Sequence, residues 1–133
     1  MRYATNGALL QAENAGVTSD NFAYSVEVDT SGNCYVAGSF KGNTLVFGDN
    51  TLSCEGHADL FVVKYDPAGN PLWARSAGGI LEDGALGVAT DRYNNCYLGG
   101  YFKSTSISFG ETTLTNGGTS TADRLVAGKF LKL

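Results

Sequence analysis

Shifted by 62 residues, the chain matches itself. With Leu10 laid on Leu72, Ala12 meets Ala74, Gly16 meets Gly78, Ala23 meets Ala85 and Val26 meets Val88. Asp29 meets Asp91, Asn33-Cys34-Tyr35 meets Asn95-Cys96-Tyr97, and Gly38-x-Phe40-Lys41 meets Gly100-x-Phe102-Lys103. Phe47-Gly48 meets Phe109-Gly110, and Thr51-Leu52 meets Thr113-Leu114. From Leu10 to Gly56, 18 of 47 positions are identical without a gap. Such a duplication restricts the fold to architectures in which one supersecondary unit stacks on its own copy. After Gly118 the second copy carries a short insertion, and residues 60–65 align with residues 125–130.

Each copy reads as strands joined by tight turns. Ala23-Tyr24-Ser25-Val26-Glu27-Val28 is a β-rich run, and Cys34-Tyr35-Val36-Ala37-Gly38-Ser39-Phe40 returns as its partner. Asp29-Thr30-Ser31-Gly32-Asn33 lies between them. Asp can bond the backbone ahead of it, and Gly accepts a positive φ without steric cost. In the second copy Asn94 stands for Gly32, and Asn is the residue next most tolerant of that conformation. Residues 41–58 form a small extra hairpin or an ordered loop. Residues 60–65 are the third strand, Asp66-Pro67-Ala68-Gly69-Asn70 the next turn, and Leu72-Trp73-Ala74-Arg75 the fourth strand. No stretch sustains a 3.6-residue period, so helix is not expected.

The apolar pattern places Val26 and Val28 on one side, and Cys34, Val36 and Phe40 on one face of the next strand. Leu60-Phe61-Val62-Val63 is apolar on both faces, as a strand packed on both sides requires. Ala37, Gly38, Gly99 and Gly100 are small enough for a place where units converge near an axis. Four up-and-down strands per repeat make a propeller blade. The expected fold is all-β, with two four-stranded antiparallel blades per chain that close into a β-propeller by oligomerisation. Residues 1–22 are a donated outer strand and junction, residues 23–77 blade one, and residues 78–133 blade two without its outer strand.

The motif Val26-x-x-Asp29-x-x-Gly32-Asn33-x-Tyr35-Val36-x-Gly38 resembles the core of the bacterial SBBP-type β-propeller repeat. Asp59-x-Phe61-Val62-x-Lys64-Tyr65-Asp66-x-x-Gly69-Asn70 resembles its second half, and Gly78-Gly79 with Asp83 its junction. The hairpin pattern is shared with NHL-type repeats. The resemblance covers nearly the whole chain. It implies bacterial origin, frequent export, a binding or scaffolding role and no catalytic residues. The second copy departs from the pattern at Asn94 and after Phe130.

Chemistry-bearing motifs are few. With a net charge of −4 and nine scattered Lys and Arg, the chain lacks the basic patch that nucleic-acid binding needs. No apolar run approaches the ~20 residues of a membrane helix, and the first residues lack a signal-peptide core. No Ser-His-Asp set, P-loop, G-x-S-x-G or HExxH occurs. His57 is the one histidine and reads as a solvated loop residue. Asp29 and Asp66 open turns that lack the bidentate Glu of a calcium loop. The three cysteines, Cys34, Cys54 and Cys96, show no CxxC zinc spacing, and Cys34 and Cys96 sit too far apart in repeat terms for a disulfide. No cofactor is expected.

Asp20-Asn21 and Glu82-Asp83 recur between the repeats. They serve either to bond loop backbone at a blade junction or to form a repeated polar pocket for a hydroxyl-rich ligand. In the second reading Trp73, Tyr24 or Tyr101 supplies a stacking surface, making a lectin-like propeller the alternative to a non-catalytic binding or scaffold module with a protein ligand.

The ends predict the partner. At the same offset Tyr3 meets Tyr65, Gly7 meets Gly69 and Leu10 meets Leu72. The first residues therefore read as the end of a third strand, a turn and a fourth strand. Two blades cannot form a ring, because propellers hold roughly 4 to 8. Ala8, Leu9, Leu10, Gln11 and Ala12 of one copy are expected to pair beside Leu125, Val126, Ala127 and Phe130 of the next. A heterologous contact of this kind closes into a ring when the rotation allows. Three chains give six blades and four give eight, and the trimer is preferred.

Overall fold

The computed structural model describes residues 1–12, 15 and 20–117, together with the backbone of residues 123–130. The chain is all-β, and no helix occurs among the described residues. The first repeat unit is a four-stranded antiparallel sheet of β3 (Asn21–Val28), β4 (Cys34–Phe40), β7 (Asp59–Tyr65) and β8 (Pro71–Ala77), in that spatial order. The second unit has β9 (Asp83–Thr90), β10 (Cys96–Phe102) and β13 (Asp123–Phe130), with β10 central. The excursion at residues 41–58 contains a hairpin, β5 (Thr44–Phe47) and β6 (Asn50–Ser53), repeated in unit two as β11 (Ser106–Phe109) and β12 (Thr112–Thr115).

Before these units lies a short hairpin, β1 (Arg2–Tyr3) and β2 (Leu9–Gln11). Its register copies the outer edge of unit one. Arg2 faces Gln11 and Tyr3 faces Leu9, as Lys64 faces Trp73 and Tyr65 faces Pro71, and both pairs carry the same shift.

One turn closes every hairpin at this end of the molecule. The first residue's N–H donates to the carbonyl four residues on, and the fourth residue's N–H donates back to the first carbonyl. This holds for the turns starting at Ala4, Asp29, Asp66 and Asp91. The fourth residue has positive φ each time: Gly7 at 83°, Gly32 at 81°, Gly69 at 93° and Asn94 at 63°. Asn94 takes the left-handed conformation that the sequence assigned to it, at a site where a β-branched residue would be strained.

The core has two layers. Alternate residues along β4 and β7 point to opposite faces. One face of unit one, with Tyr35, Ala37, Leu60, Val62 and Ala77, packs on Ala85, Val88, Cys96, Leu98 and Phe102 of unit two. The other, with Phe40, Phe61, Val63 and Ala74, packs under Leu45, Phe47 and Leu52 of its own β5–β6 hairpin.

One expectation is corrected. Phe40 faces Asp59, and Phe102 faces Asp123. The equivalents of residues 60–63 are therefore residues 124–127, not residues 125–128. One extra residue is absorbed inside β13, where Leu98 faces Ala127 but Cys96 faces Phe130. Hydrogen-bond register fixes this, and an alignment that moves the whole insertion ahead of the strand misses it. The small residues at positions 38 and 100 also answer to a local cause. Tyr24 in β3 and Leu86 in β9 are extra residues opposite Gly38 and Gly100. A Cβ at Gly38 would lie 1.8 Å from the Phe22 carbonyl oxygen, and one at Gly100 would lie 2.1 Å from that of Gly84. The bulge brings backbone onto backbone, and only glycine fits.

Candidate functional site

Two clusters of polar residues organise the ends of the units. At the turn end, Asp29 is buried, and one of its carboxylate oxygens accepts from the N–H groups of Ser31 and Asn33, each at 2.9 Å. The other accepts from the Asn33 amide at 2.8 Å and the Tyr35 phenol at 3.1 Å, with the Lys64 ammonium 3.6 Å away. Burial raises the carboxyl's pKa, but the donors on Asn33, Ser31 and Tyr35 outweigh it and hold the group below its ordinary range. Asp91 repeats the set with Tyr93, Asn95 and Tyr97, and chiefly through the Asn95 amide its pKa falls to about 2. Asp66 holds Asn70 the same way. Their backbone and amide donors come from the turn itself, with a tyrosine of the following strand added at Asp29 and Asp91, which is the hairpin role expected of these residues.

At the other end, Asp83 is fully buried. One oxygen accepts from the N–H groups of Lys103 and Ser104 at 3.0 and 3.2 Å, and the other from Gly79 N–H at 2.9 Å and the Ser104 hydroxyl at 2.7 Å. Glu82 pairs with Lys103, while the Lys103 N–H donates to the Glu82 carbonyl as Lys41 N–H donates to that of Asp20. Asp20 is exposed and Asn21 half-buried at the start of β3. Trp73 lies near the turn end of β8, with its ring edge-on to Tyr35 at 6.0 Å. The structure thus gathers Asp20 with Asn21 and Glu82 with Asp83 at matching strand starts, and puts Trp73 at the opposite end of the sheet. Tyr24 stacks on Phe22 at 5.9 Å. His57 is exposed on a loop. Cys34 pairs across the strands with Val28 and Tyr65, and Cys96 with Thr90 and Phe130. All three cysteines have free thiols.

Among the expected interface residues, Leu9, Leu10 and Gln11 form β2 and pair with β1 of the same chain, next to Ala8 in the turn and Ala12 beyond it. The backbone at Leu125, Val126, Ala127 and Phe130 forms β13, which pairs with β10 on one edge. No strand among the described residues pairs with its other edge. The side chains of β13 lie outside the described residues.

The sequence did not reveal how the two units join. Thr30 donates to the Asn94 side-chain oxygen at 2.7 Å, and the Asn94 amide donates to Ser31 at 2.8 Å. The Val88 N–H donates to the Ser25 hydroxyl at 3.1 Å. The interface is directional: the Tyr35 face of unit one, which we call its back, meets the Val88 face of unit two, which we call its front.

The repeat exposes what this leaves uncovered. Val88 is 8% exposed, but its equivalent Val26 is 63% exposed, and Val28 beside it is 57% exposed. Cys96 and Leu98 are buried, while Cys34 and Val36 are only half-buried. The back faces show the reverse. Tyr35 is 1% exposed and Tyr97 39%. The front of unit one forms a groove of about 990 Å³ lined by Phe22, Tyr24, Val26, Val28, Cys34 and Val36. The β1–β2 hairpin bounds it, held by the Gln11 amide donating to the Gly69 carbonyl at 2.8 Å and by Arg2 bonded to the Pro67 carbonyl. Covering Val26 and Val28 would be worth on the order of 3 kcal/mol.

No family model matches the sequence. The chain is 34% identical over 107 residues to the regulatory protein FlaEY of Caulobacter vibrioides, covering 78% of this chain and 11% of that protein. It is 27% identical over 88 residues to an uncharacterised WD repeat-containing protein, L264, of Acanthamoeba polyphaga mimivirus, covering 59% of this chain and 6% of that protein. The chain thus spans about a tenth or less of the length of these curated relatives.

Proposed function

We propose that the chain is a pair of β-propeller blades acting as a non-catalytic binding or scaffold module. The observation that carries this reading is the directional stacking of two repeat-related antiparallel units, back on front. A sheet that stacks in one direction accepts another of its kind on each open face, which is how propellers grow. The mimivirus relative's WD repeats support the same architecture, since such repeats build propeller blades. The threefold use of one Asp-Asn turn, at Asp29, Asp66 and Asp91, supports the SBBP-type resemblance. The non-catalytic part of the reading rests on the carboxylates, whose partners are turn and loop groups.

The glycan-binding alternative has less support. Asp83 spends both oxygens on loop donors, and Trp73 is far from the Asp83 end of the fold.

Three copies of the sequence fused in tandem test the proposal. They should fold as one closed, monodisperse body that melts well above the single chain. Three independently melting units would overturn it. A glycan array carrying the single chain should stay blank, and saturable binding abolished by Asp83→Asn would favour the lectin reading.

A further inference from the structure

Building on the propeller reading, we infer that the front groove of unit one is the docking site for the back of unit two in a second copy of this chain. The molecule already contains the bond it needs. Inside one chain the back of unit one covers Val88, Cys96 and Leu98. Their equivalents Val26, Cys34 and Val36 line the open groove. The surface that would cover them is the repeat equivalent of Tyr35 and Ala37, namely Tyr97 and Gly99, and it too is open. A Cβ built at Gly99 or Gly87 meets nothing within 4 Å. The facing residues Val26, Cys34, Val36, Tyr97 and Gly99 carry no charge, while Arg2 and Asp66 line the groove beside them.

The equivalences name the contacts. Ser25 accepts from Val88 N–H within the chain, so position 87 of one copy lies against Val26 of the next. Tyr35 lies 3.5 Å from the Asn94 carbonyl, which brings the Tyr97 phenol to the Gly32 carbonyl across the new interface. The hairpin completes the fit. It occupies the outer half of the groove face, where β8 and the end of β7 would stand in a preceding unit. The docking copy supplies the inner half with β9 and β10. Its β13 then falls beside β2, completing a four-stranded sheet, and Lys129-Phe130 take over the place of their equivalents Arg2-Tyr3. Front and back are different surfaces, so the contact is heterologous and propagates from chain to chain until it closes.

Two single-face variants test this. Val26→Arg changes a residue exposed in the single chain, and Gly99→Arg enters open space there. Circular dichroism should therefore match the parent for both. In sedimentation velocity at micromolar concentration the parent should run as a closed oligomer, and each variant as a single chain. Mixed together, they should form a 1:1 pair and nothing larger, because the live back of Val26→Arg meets the live front of Gly99→Arg. A folded monomeric parent, an oligomer that survives either substitution, or a mixture that stays monomeric would overturn the inference. A monomeric parent whose tandem fusion still closes would leave the propeller reading standing and remove only self-docking.

Discussion

The Tyr35 phenol donates to the Asp29 carboxylate at 3.1 Å, across a turn whose backbone donors fill the same carboxylate. Four donors on one buried group make this turn the anchor of unit one. Asp29→Ala strands those donors and leaves the Lys64 ammonium without its partner. We expect a loss of about 3 kcal/mol, read from urea unfolding. Asp91→Ala, at the more exposed copy, should cost clearly less.

The same carboxylates set the acid limit of the fold. Asp29, Asp66 and Asp91 have folded pKa values below the ordinary range, Asp91 at about 2. A lowered carboxylate pKa contributes stability that is fully present above the unfolded value of ~3.9 and lost as pH falls through the folded one. The urea midpoint should thus hold down to about pH 5 and fall steeply between roughly 4 and 2. Asp59 runs the other way, because burial raises its pKa. Its charged form weakens the fold, and the strain is relieved as pH falls through the raised value. Asp59→Asn should compare more favourably with the parent at pH 7 than at pH 4.

Asn94 separates a turn residue from a joint between units. As a mere substitute for glycine at φ 63°, it should gain stability on replacement by Gly. Its side chain instead holds Thr30 and Ser31 of the other unit. We expect Asn94→Gly to destabilise by about 1 kcal/mol. Gly32→Val should cost at least roughly as much through backbone strain alone. Thermal unfolding of both variants decides.

Local chemistry was legible in the sequence and cross-unit chemistry was not. β4 falls on residues 34–40 as read, since turn residues and alternation bound it on the chain itself. The positive φ at Asn94 follows from its alignment with Gly32. Its hold on Thr30 and Ser31 does not, because that depends on how one unit sits on the next. The bulges opposite Gly38 and Gly100 were hidden for the same reason: a glycine in a strand states that something comes close, but not what. The open front of unit one was invisible too, since Val26 and Val88 are the same letter in the same motif.

Cysteine reactivity offers a local probe of docking. Burial pushes the Cys96 thiol up to about 11, so it should alkylate slowest in the native protein. Cys34, its equivalent in the open groove, should react faster in dilute solution and slow as concentration rises and a second copy covers it. A Cys34 rate independent of concentration would argue against coverage. All three thiols should titrate in unreduced, denatured protein.

Removal of residues 1–12 deletes the hairpin that occupies the outer half of the groove face. The shortened chain should keep its two units and lose its assembly, as judged by circular dichroism and gel filtration together. An intact assembly would show that β2 contributes nothing to it.

The mass of the native particle decides whether two units per chain close into a ring. Native mass spectrometry of the parent chain at micromolar concentration should give three chains in one closed particle, with six units in the ring. A folded, stable single chain at that concentration would rule out the self-docked ring.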